Sequence, residues 1–109
     1  MNDKNAVDVI SLAGELDIGR KQEVRDALEV RGPGSPLLVD FSDVTYADST
    51  VIAELLRFRN EADHVDRRVA VVITSPQFDR LITYAGLRAA FDIFDDDRDA
   101  RAFLLESDS

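Results

Sequence analysis

Hydrophobic positions along the chain switch repeatedly between short continuous runs and helical spacing. The runs, bounded by polar or turn residues, predict strands at Ala6–Ala13, Leu37–Phe41, Arg68–Ile73 and Phe91–Phe94. The helical spacing predicts helices at about Arg20–Arg31, Ser49 to about Asp63, between Ser75 and Gly86, and after the acidic run Asp95–Asp99. Gly14–Gly19 is expected to be a connection. Strands that alternate with helices indicate an α/β fold, with a mainly parallel sheet of about four strands covered by about four helices. We expect one domain over residues 1–109.

The second predicted helix begins at three small polar residues, Asp48-Ser49-Thr50. Its spacing assigns one face to Ile52, Leu55, Leu56, Arg59 and Ala62. Such polar side chains can accept hydrogen bonds from the free amides of a first helical turn, which would make them a cap. An exposed hydroxyl there can also be phosphorylated, since the helix dipole tolerates an added charge of about −2 while the carboxylate of Asp48 opposes it. From this segment alone, the residues could form a helix cap, a phosphorylation switch, or both.

The charge of the chain argues against two classes of partner. Asp and Glu number 22 against 13 Lys and Arg, which gives a net charge of −9. Binding to nucleic acid or to an anionic membrane requires a basic surface, so we expect neither. There is no cysteine, and the start of the chain lacks the basic and apolar regions of a secretion signal. These features favour a soluble cytoplasmic protein.

Catalytic motifs are not found in the sequence. His64 is the single histidine, there is no cysteine, and neither GxSxG nor a phosphate-binding glycine loop occurs. The acidic run Asp95–Asp99 lacks the ligand spacing of a calcium loop and is interpreted as a helix start. We therefore expect no catalytic residue, no metal and no cofactor. An enzyme of the receiver or hydrolase type stays as an alternative from a different class.

Three segments of the chain carry a resemblance to a known family. They are GELD (Gly14–Asp17), LLVDFSDVTYADST (Leu37–Thr50) and SPQFDRLITYAGLRAAFDIFDD (Ser75–Asp96). Together they resemble the STAS domain of anti-sigma factor antagonists, and the similarity extends over nearly the whole chain from Ala6. The segment that ends in Asp48-Ser49 is the most specific of the three.

The resemblance implies a regulatory function without catalysis. By analogy with the family, Ser49 would be the phosphoacceptor, with Thr50 as the second candidate, and Asp17, Asp48, Ser49, Thr50 and Val51 would contact the partner. That partner would be an anti-sigma factor that is also a serine kinase. Binding of the unphosphorylated antagonist would release the sigma factor, phosphorylation would stop binding, and a serine phosphatase would reset the switch. The free protein is expected to be a monomer.

Two departures from the family pattern add further expectations. Val51 stands where the family usually has glycine, and its side chain is expected to fill space that a partner's backbone would approach. Five residues precede Ala6, so the usual extra N-terminal strand is expected to be missing or very short. The Val51 departure leaves room for an alternative within the same resemblance, an accessory subunit that regulates the ATPase of a membrane transporter, as in bacterial lipid transport. In that case Ser49 need not be phosphorylated.

Overall fold

The computed structural model describes residues 6–106, which form four strands and four α-helices in strict alternation. Their order is β1 (Asp8–Leu16), α1 (Lys21–Ala27), β2 (Leu37–Ala47), α2 (Ser49–His64), β3 (Val69–Ile73), α3 (Pro76–Tyr84), β4 (Asp92–Phe94) and α4 (Asp97–Leu105). Short 3-10 helices at Ile18–Arg20 and Leu87–Ala89 precede α1 and β4. The extra N-terminal strand of the family would fall on residues outside the described range.

The strands form one parallel sheet in the order β1-β2-β3-β4. The predicted α/β class and the four-strand parallel sheet are thereby confirmed. The central strands β2 and β3 are buried over most of their shared length, which explains their nearly continuous apolar runs. Because every strand runs in the same direction, the loops that follow the strands meet at one edge of the sheet.

Helices cover the two faces of the sheet unequally. α1, α2 and α3 pack against one face and form the main hydrophobic core, in which Phe41, Phe58 and Phe78 are fully buried. α4 covers the other face with Ala100 and Leu104, which pack against β2 and β3. The loops after β1 and β2 therefore lie at the N-terminal ends of α1 and α2, on the face of the sheet that carries the larger core.

β1 and β2 are both longer than the sequence pattern predicts. β1 continues through Leu16, so Gly14, Glu15 and Leu16 belong to a strand and not to a connection. β2 continues to Ala47, six residues beyond Phe41. The two extensions pair with each other through two register irregularities, and Gly14 accommodates one of them with a φ of 82°. Bulges interrupt the hydrophobic alternation, which is why the pattern does not reveal these segments.

Two features of the helices also differ from the prediction. α1 ends at Ala27, four residues before Arg31, because the backbone leaves the helical region at Leu28. The buried face of α2 consists of Val51, Glu54, Leu55, Phe58 and Ala62, so that the predicted face is rotated and Leu56 is exposed. Between residues 6 and 106, no helix has both the length and the apolar character needed to cross a membrane.

Candidate functional site

Asp17 and Asp48 lie at the same edge of the sheet because each follows one of two neighbouring parallel strands. Leu16 ends β1 and Ala47 ends β2, and these two residues are partners in the register. The backbone amide of Asp48 donates to the carbonyl of Leu16 over 3.2 Å. The strand pairing therefore brings the GELD segment and the Asp48-Ser49-Thr50 segment into contact, although the sequence separates them by about thirty residues.

The carboxylate of Asp48 is the N-cap of α2. Its Oδ1 atom accepts a hydrogen bond from the Thr50 backbone amide at 2.9 Å. Its Oδ2 atom accepts from the Ile18 backbone amide at 3.1 Å, in the 3-10 turn that follows β1. One side chain thus satisfies a free amide of the first helical turn and fixes the neighbouring loop. Capping is performed by Asp48, which leaves the hydroxyl of Ser49 without that role.

Asp17 has a similar local function in its own loop. Its Oδ1 atom accepts from the Gly19 backbone amide at 2.9 Å, and its carbonyl accepts from the Arg20 amide at 2.9 Å. These bonds close the 3-10 turn from Ile18 to Arg20. The side chain of Asp17 remains exposed, so the carboxylate is accessible to a partner as well as bound to the turn.

Ser49 is the accessible hydroxyl of the segment. It is the first residue of α2 and its side chain is exposed, whereas Thr50 is half-buried. Of the two hydroxyls named as phosphoacceptor candidates, Ser49 is therefore the one that an enzyme reaches with less rearrangement of the domain.

Val51 lies in the hydrophobic core and is 0% exposed. The expectation that its side chain fills space at the partner-facing surface is wrong. Its position in the helix directs the side chain towards the sheet, on the same buried face as Leu55 and Phe58. Valine in place of the family's usual glycine therefore adds a side chain to the core and does not alter the outer surface of the helix.

An exposed surface that the sequence prediction missed includes Ser49. On the outer face of α2, Ser49 is followed at helical spacing by Ala53, Leu56 and Asn60, all exposed. Leu56 exposes 43% of its surface, and Ile18, whose amide Asp48 holds, exposes 73%. We refer to Ile18, Ser49, Ala53 and Leu56 as the Ser49 surface. The apolar run from Val51 to Phe58, interrupted by Glu54 and Arg57, is too wide for one helical face, and this is the signal in the sequence that could have revealed the surface.

Comparison with known proteins decides the family. A family model described as "Mlab, STAS domain" matches residues 2–93, which is most of the chain. The chain belongs to the STAS-domain family. A STAS-domain containing protein of Pseudomonas aeruginosa (strain UCBPP-PA14) is 28% identical to it over 85 residues, which are 77% of this chain and 84% of that relative.

Solved structures share the fold of this STAS domain. An anti-sigma factor antagonist from Mycobacterium paratuberculosis superposes with a TM-score of 0.83 and 24% identity, over 90% of this chain and 85% of that one. A sulfate transporter family protein from Wolinella succinogenes superposes with a TM-score of 0.78 and 17% identity, over 93% and 88% of the two chains. At these identities the similarity establishes the fold, and the function must be argued from the site.

Gln77 supports the STAS domain's site from the third helix. The last part of β2 extends beyond the end of β3, so the backbone of Ala47 has no strand partner on that side. The side-chain amide of Gln77 takes that place: its Nε2 donates to the Ala47 carbonyl at 2.7 Å and its Oε1 accepts from the Ala47 amide at 3.0 Å. This pair of hydrogen bonds fixes the residue that directly precedes Asp48.

Arg20 stabilises the outer edge of β1 below the same site. Its Nη1 atom donates to the carbonyls of Ala13 at 2.7 Å and Glu15 at 3.1 Å, and its other nitrogens bind both carboxylate oxygens of Glu23 at 2.9 and 2.7 Å. The hydrogen bond from Arg20 lowers the pKa of Glu23 below its usual range. A β-carbon on Gly14 would lie 3.2 Å from the same nitrogen, so glycine both adopts the positive φ and leaves room for the guanidinium group.

The acidic run near the C-terminus serves the start of α4. Asp96 caps the helix through an Oδ1 atom that accepts from the Asp99 amide at 2.9 Å, and Asp97 pairs with Arg101 at 2.8 Å. Over the part of the chain that the structure describes, no group of three or more acidic or histidine side chains is arranged to hold a metal ion.

Proposed function

We propose that this STAS domain is an anti-sigma factor antagonist that is controlled by phosphorylation of Ser49. The unphosphorylated form binds an anti-sigma factor of the serine-kinase type and releases the sigma factor, and the phosphorylated form does not bind. The single observation that carries the proposal is the exposed hydroxyl of Ser49 at the start of α2, next to exposed apolar residues of the same helix, with the cap of the helix supplied by Asp48. The antagonist is the substrate of the kinase and has no catalytic role itself.

The chemistry of the switch is a phosphoryl transfer from ATP bound to the partner. The bond between the γ-phosphorus of ATP and the β,γ-bridging oxygen breaks, and that oxygen leaves with ADP. A bond from the phosphorus to Ser49 Oγ forms, and the hydroxyl proton passes to a general base of the kinase. A serine phosphatase reverses the modification by hydrolysis, which returns the hydroxyl and releases inorganic phosphate. Both reactions require an accessible Ser49 side chain, and this side chain is exposed.

The position of Ser49 separates the effect of phosphate on folding from its effect on binding. At the start of a 16-residue helix the dipole favours a negative group by about 0.3–1 kcal/mol, which offsets part of the repulsion from Asp48. A partner that covers the apolar residues Ile18, Ala53 and Leu56 would also have to bury the phosphate. Burial of an unpaired charge costs several kcal/mol, so phosphorylation would remove binding while the domain stays folded.

The charge around Ser49 indicates the kind of surface that the partner must present. Glu15 and Asp17 are exposed close to the carboxyl end of β1, and the whole chain carries a net charge of −9. Basic side chains around an apolar centre would complement this arrangement and would increase the rate of association at low salt.

A pull-down from native cell lysate tests the proposal. Wild type, Ser49→Ala and Ser49→Asp serve as baits, and retained proteins are identified by mass spectrometry. We expect wild type and Ser49→Ala to retain an ATP-binding protein of the kinase type and Ser49→Asp to lose it. Equal retention of that protein by all three baits would contradict control through Ser49.

A second candidate function is an accessory subunit that regulates the ATPase of a membrane transporter. Two observations favour it: the matching family model carries the description Mlab, and one fold neighbour is a sulfate transporter family protein. In this function the Ser49 surface contacts an ATPase, and Ser49 is a surface residue without modification. Recovery of a transporter ATPase with all three baits would select this candidate.

A further inference from the structure

Ile18 is held in an exposed position by the hydrogen bonds of its turn. Its backbone amide donates to Asp48 Oδ2 at 3.1 Å, and the next two amides, of Gly19 and Arg20, donate to the side chain and the carbonyl of Asp17. Within the described residues, only Tyr84 among the large hydrophobic residues is more exposed than Ile18. The turn thus presents an aliphatic side chain to solvent, where the side chain adds no hydrophobic stabilisation to the fold.

We propose that Ile18 is an apolar anchor of the partner contact, and that Asp48 is a positioning residue through which charge on Ser49 acts on it. The anchor would enter an apolar pocket of the kinase-type anti-sigma factor, and basic residues around that pocket would face Asp17 and Asp48. This inference rests on the proposed function because it needs that partner and a phosphorylated Ser49.

The carboxylate of Asp48 connects the two residues physically. One oxygen binds the first turn of α2, where Ser49 lies, and the other oxygen binds Ile18. A phosphate on Ser49 would repel this carboxylate and would compete with it for the Thr50 amide, because a doubly charged group is the stronger acceptor. When the carboxylate moves away, the Ile18 amide loses its acceptor and the turn is free to leave its position. Phosphorylation then disrupts the partner contact at the turn as well as at the helix.

Binding of the kinase-type protein recovered in the pull-down, purified and titrated by calorimetry, tests the anchor. We expect Ile18→Ala to weaken binding by about tenfold or more, as truncation of a buried anchor does. The matched control is Tyr84→Ala, which removes an even more exposed side chain from the end of α3, and we expect its affinity to change by less than about twofold. An affinity of Ile18→Ala equal to that of wild type would overturn the inference.

Amide hydrogen exchange of Ile18, followed by NMR on the purified protein alone, tests the positioning by Asp48. Serine at position 48 still caps a helix but has a single oxygen, so Asp48→Ser preserves the cap and removes the bond to Ile18. We expect the Ile18 amide to exchange about tenfold faster or more in Asp48→Ser and in protein that carries phosphoserine at position 49. Asp43→Asn, which removes an exposed charge from β2 opposite Ala13, should leave the exchange rate unchanged. Wild-type protection in either of the first two proteins would overturn the coupling.

The outcomes distinguish this inference from the proposed function. If Ser49→Asp loses the kinase-type protein while Ile18→Ala keeps it, the switch stands and the anchor is wrong. If wild type, Ser49→Ala and Ser49→Asp retain the kinase-type protein equally and Ile18→Ala does not, the Ser49 surface contacts the partner and the phosphorylation switch is wrong.

Discussion

The Oδ2 atom of Asp48 and the backbone amide of Ile18 lie 3.1 Å apart and join two turns that are thirty residues apart in the sequence. The same carboxylate caps α2 through its other oxygen. As a result the turn after β1 and the start of the Ser49 helix form one rigid unit. Of the polar residues at this helix start, Asp48 supplies the cap, and Ser49 is exposed and has no capping role.

Replacement of Asp48 separates its two hydrogen bonds. Asp48→Ala removes both and should lower the free energy of unfolding by about 1–2 kcal/mol, as loss of an N-cap does. Asp48→Ser retains a capping oxygen and should lower it by less than about 1 kcal/mol. Urea denaturation monitored by circular dichroism measures both. Equal losses in the two variants would show that the cap contributes little and that the bond to Ile18 dominates.

Ser49 and Leu55 should differ sharply in their importance for stability, although both belong to α2. Ser49→Ala changes an exposed residue that is not the cap and should alter the free energy of unfolding by less than about 0.5 kcal/mol. Leu55→Ala leaves a cavity in the main core and should cost about 2–5 kcal/mol. The same denaturation series compares them. Loss of the fold in Ser49→Ala would be incompatible with an exposed switch.

Val51→Gly should destabilise the domain without improving any partner contact. Removal of a fully buried side chain together with the entropy of a glycine within a helix should cost about 2–4 kcal/mol. Ala53→Gly, at an exposed position of the same helix, is the matched control and should cost only about 1 kcal/mol. Thermal unfolding reports both changes. A Val51→Gly variant no less stable than Ala53→Gly would show that the valine is poorly packed.

Gln77→Ala should loosen the end of β2 by removing both hydrogen bonds to Ala47. Because the backbone amide and carbonyl of the buried Ala47 lose their partner, we expect a cost of about 1–3 kcal/mol in the free energy of unfolding. The control is Gln22→Ala, since Gln22 is exposed on α1 and its side-chain amide donates to Asp26 on the same helix. Faster amide exchange at Ala47 would locate the effect. Unchanged exchange there would contradict a supporting role.

The Arg20–Glu23 pair should make the stability of the domain depend on pH in the acidic range. The pKa of Glu23 is lowered in the folded state by the hydrogen bond from Arg20, so the pair stabilises the fold above the usual pKa of glutamate. This contribution is lost as the pH falls through the lowered folded-state value. Comparison of the thermal midpoints of wild type and Glu23→Gln at neutral and strongly acidic pH measures it. Their difference should decrease at acidic pH, and a difference independent of pH would contradict the pairing.

Local patterns in the sequence were sufficient for the class of the fold and for the segment that carries the site. The buried strands β2 and β3, the start of α2 at Ser49, and the cap of α3 by Ser75 all follow from hydrophobic runs and capping residues. These signals arise from interactions between residues that are close in the sequence, so they can be recognised from the amino-acid sequence alone. The resemblance to STAS domains added the family, which the match over residues 2–93 confirms.

Only the tertiary structure decided which residues face the core and which face outwards at the site. α2 is apolar around most of its circumference, and its buried face even includes Glu54, whose carboxylate binds Arg57 at 2.9 Å. Its orientation is therefore set by packing against the sheet and not by its own pattern, which reverses the roles expected for Val51 and Leu56. The hydrogen bond that the Ile18 amide donates to Asp48 likewise depends on the pairing of β1 with β2. Contacts between distant segments require the folded chain, because no local spacing encodes them.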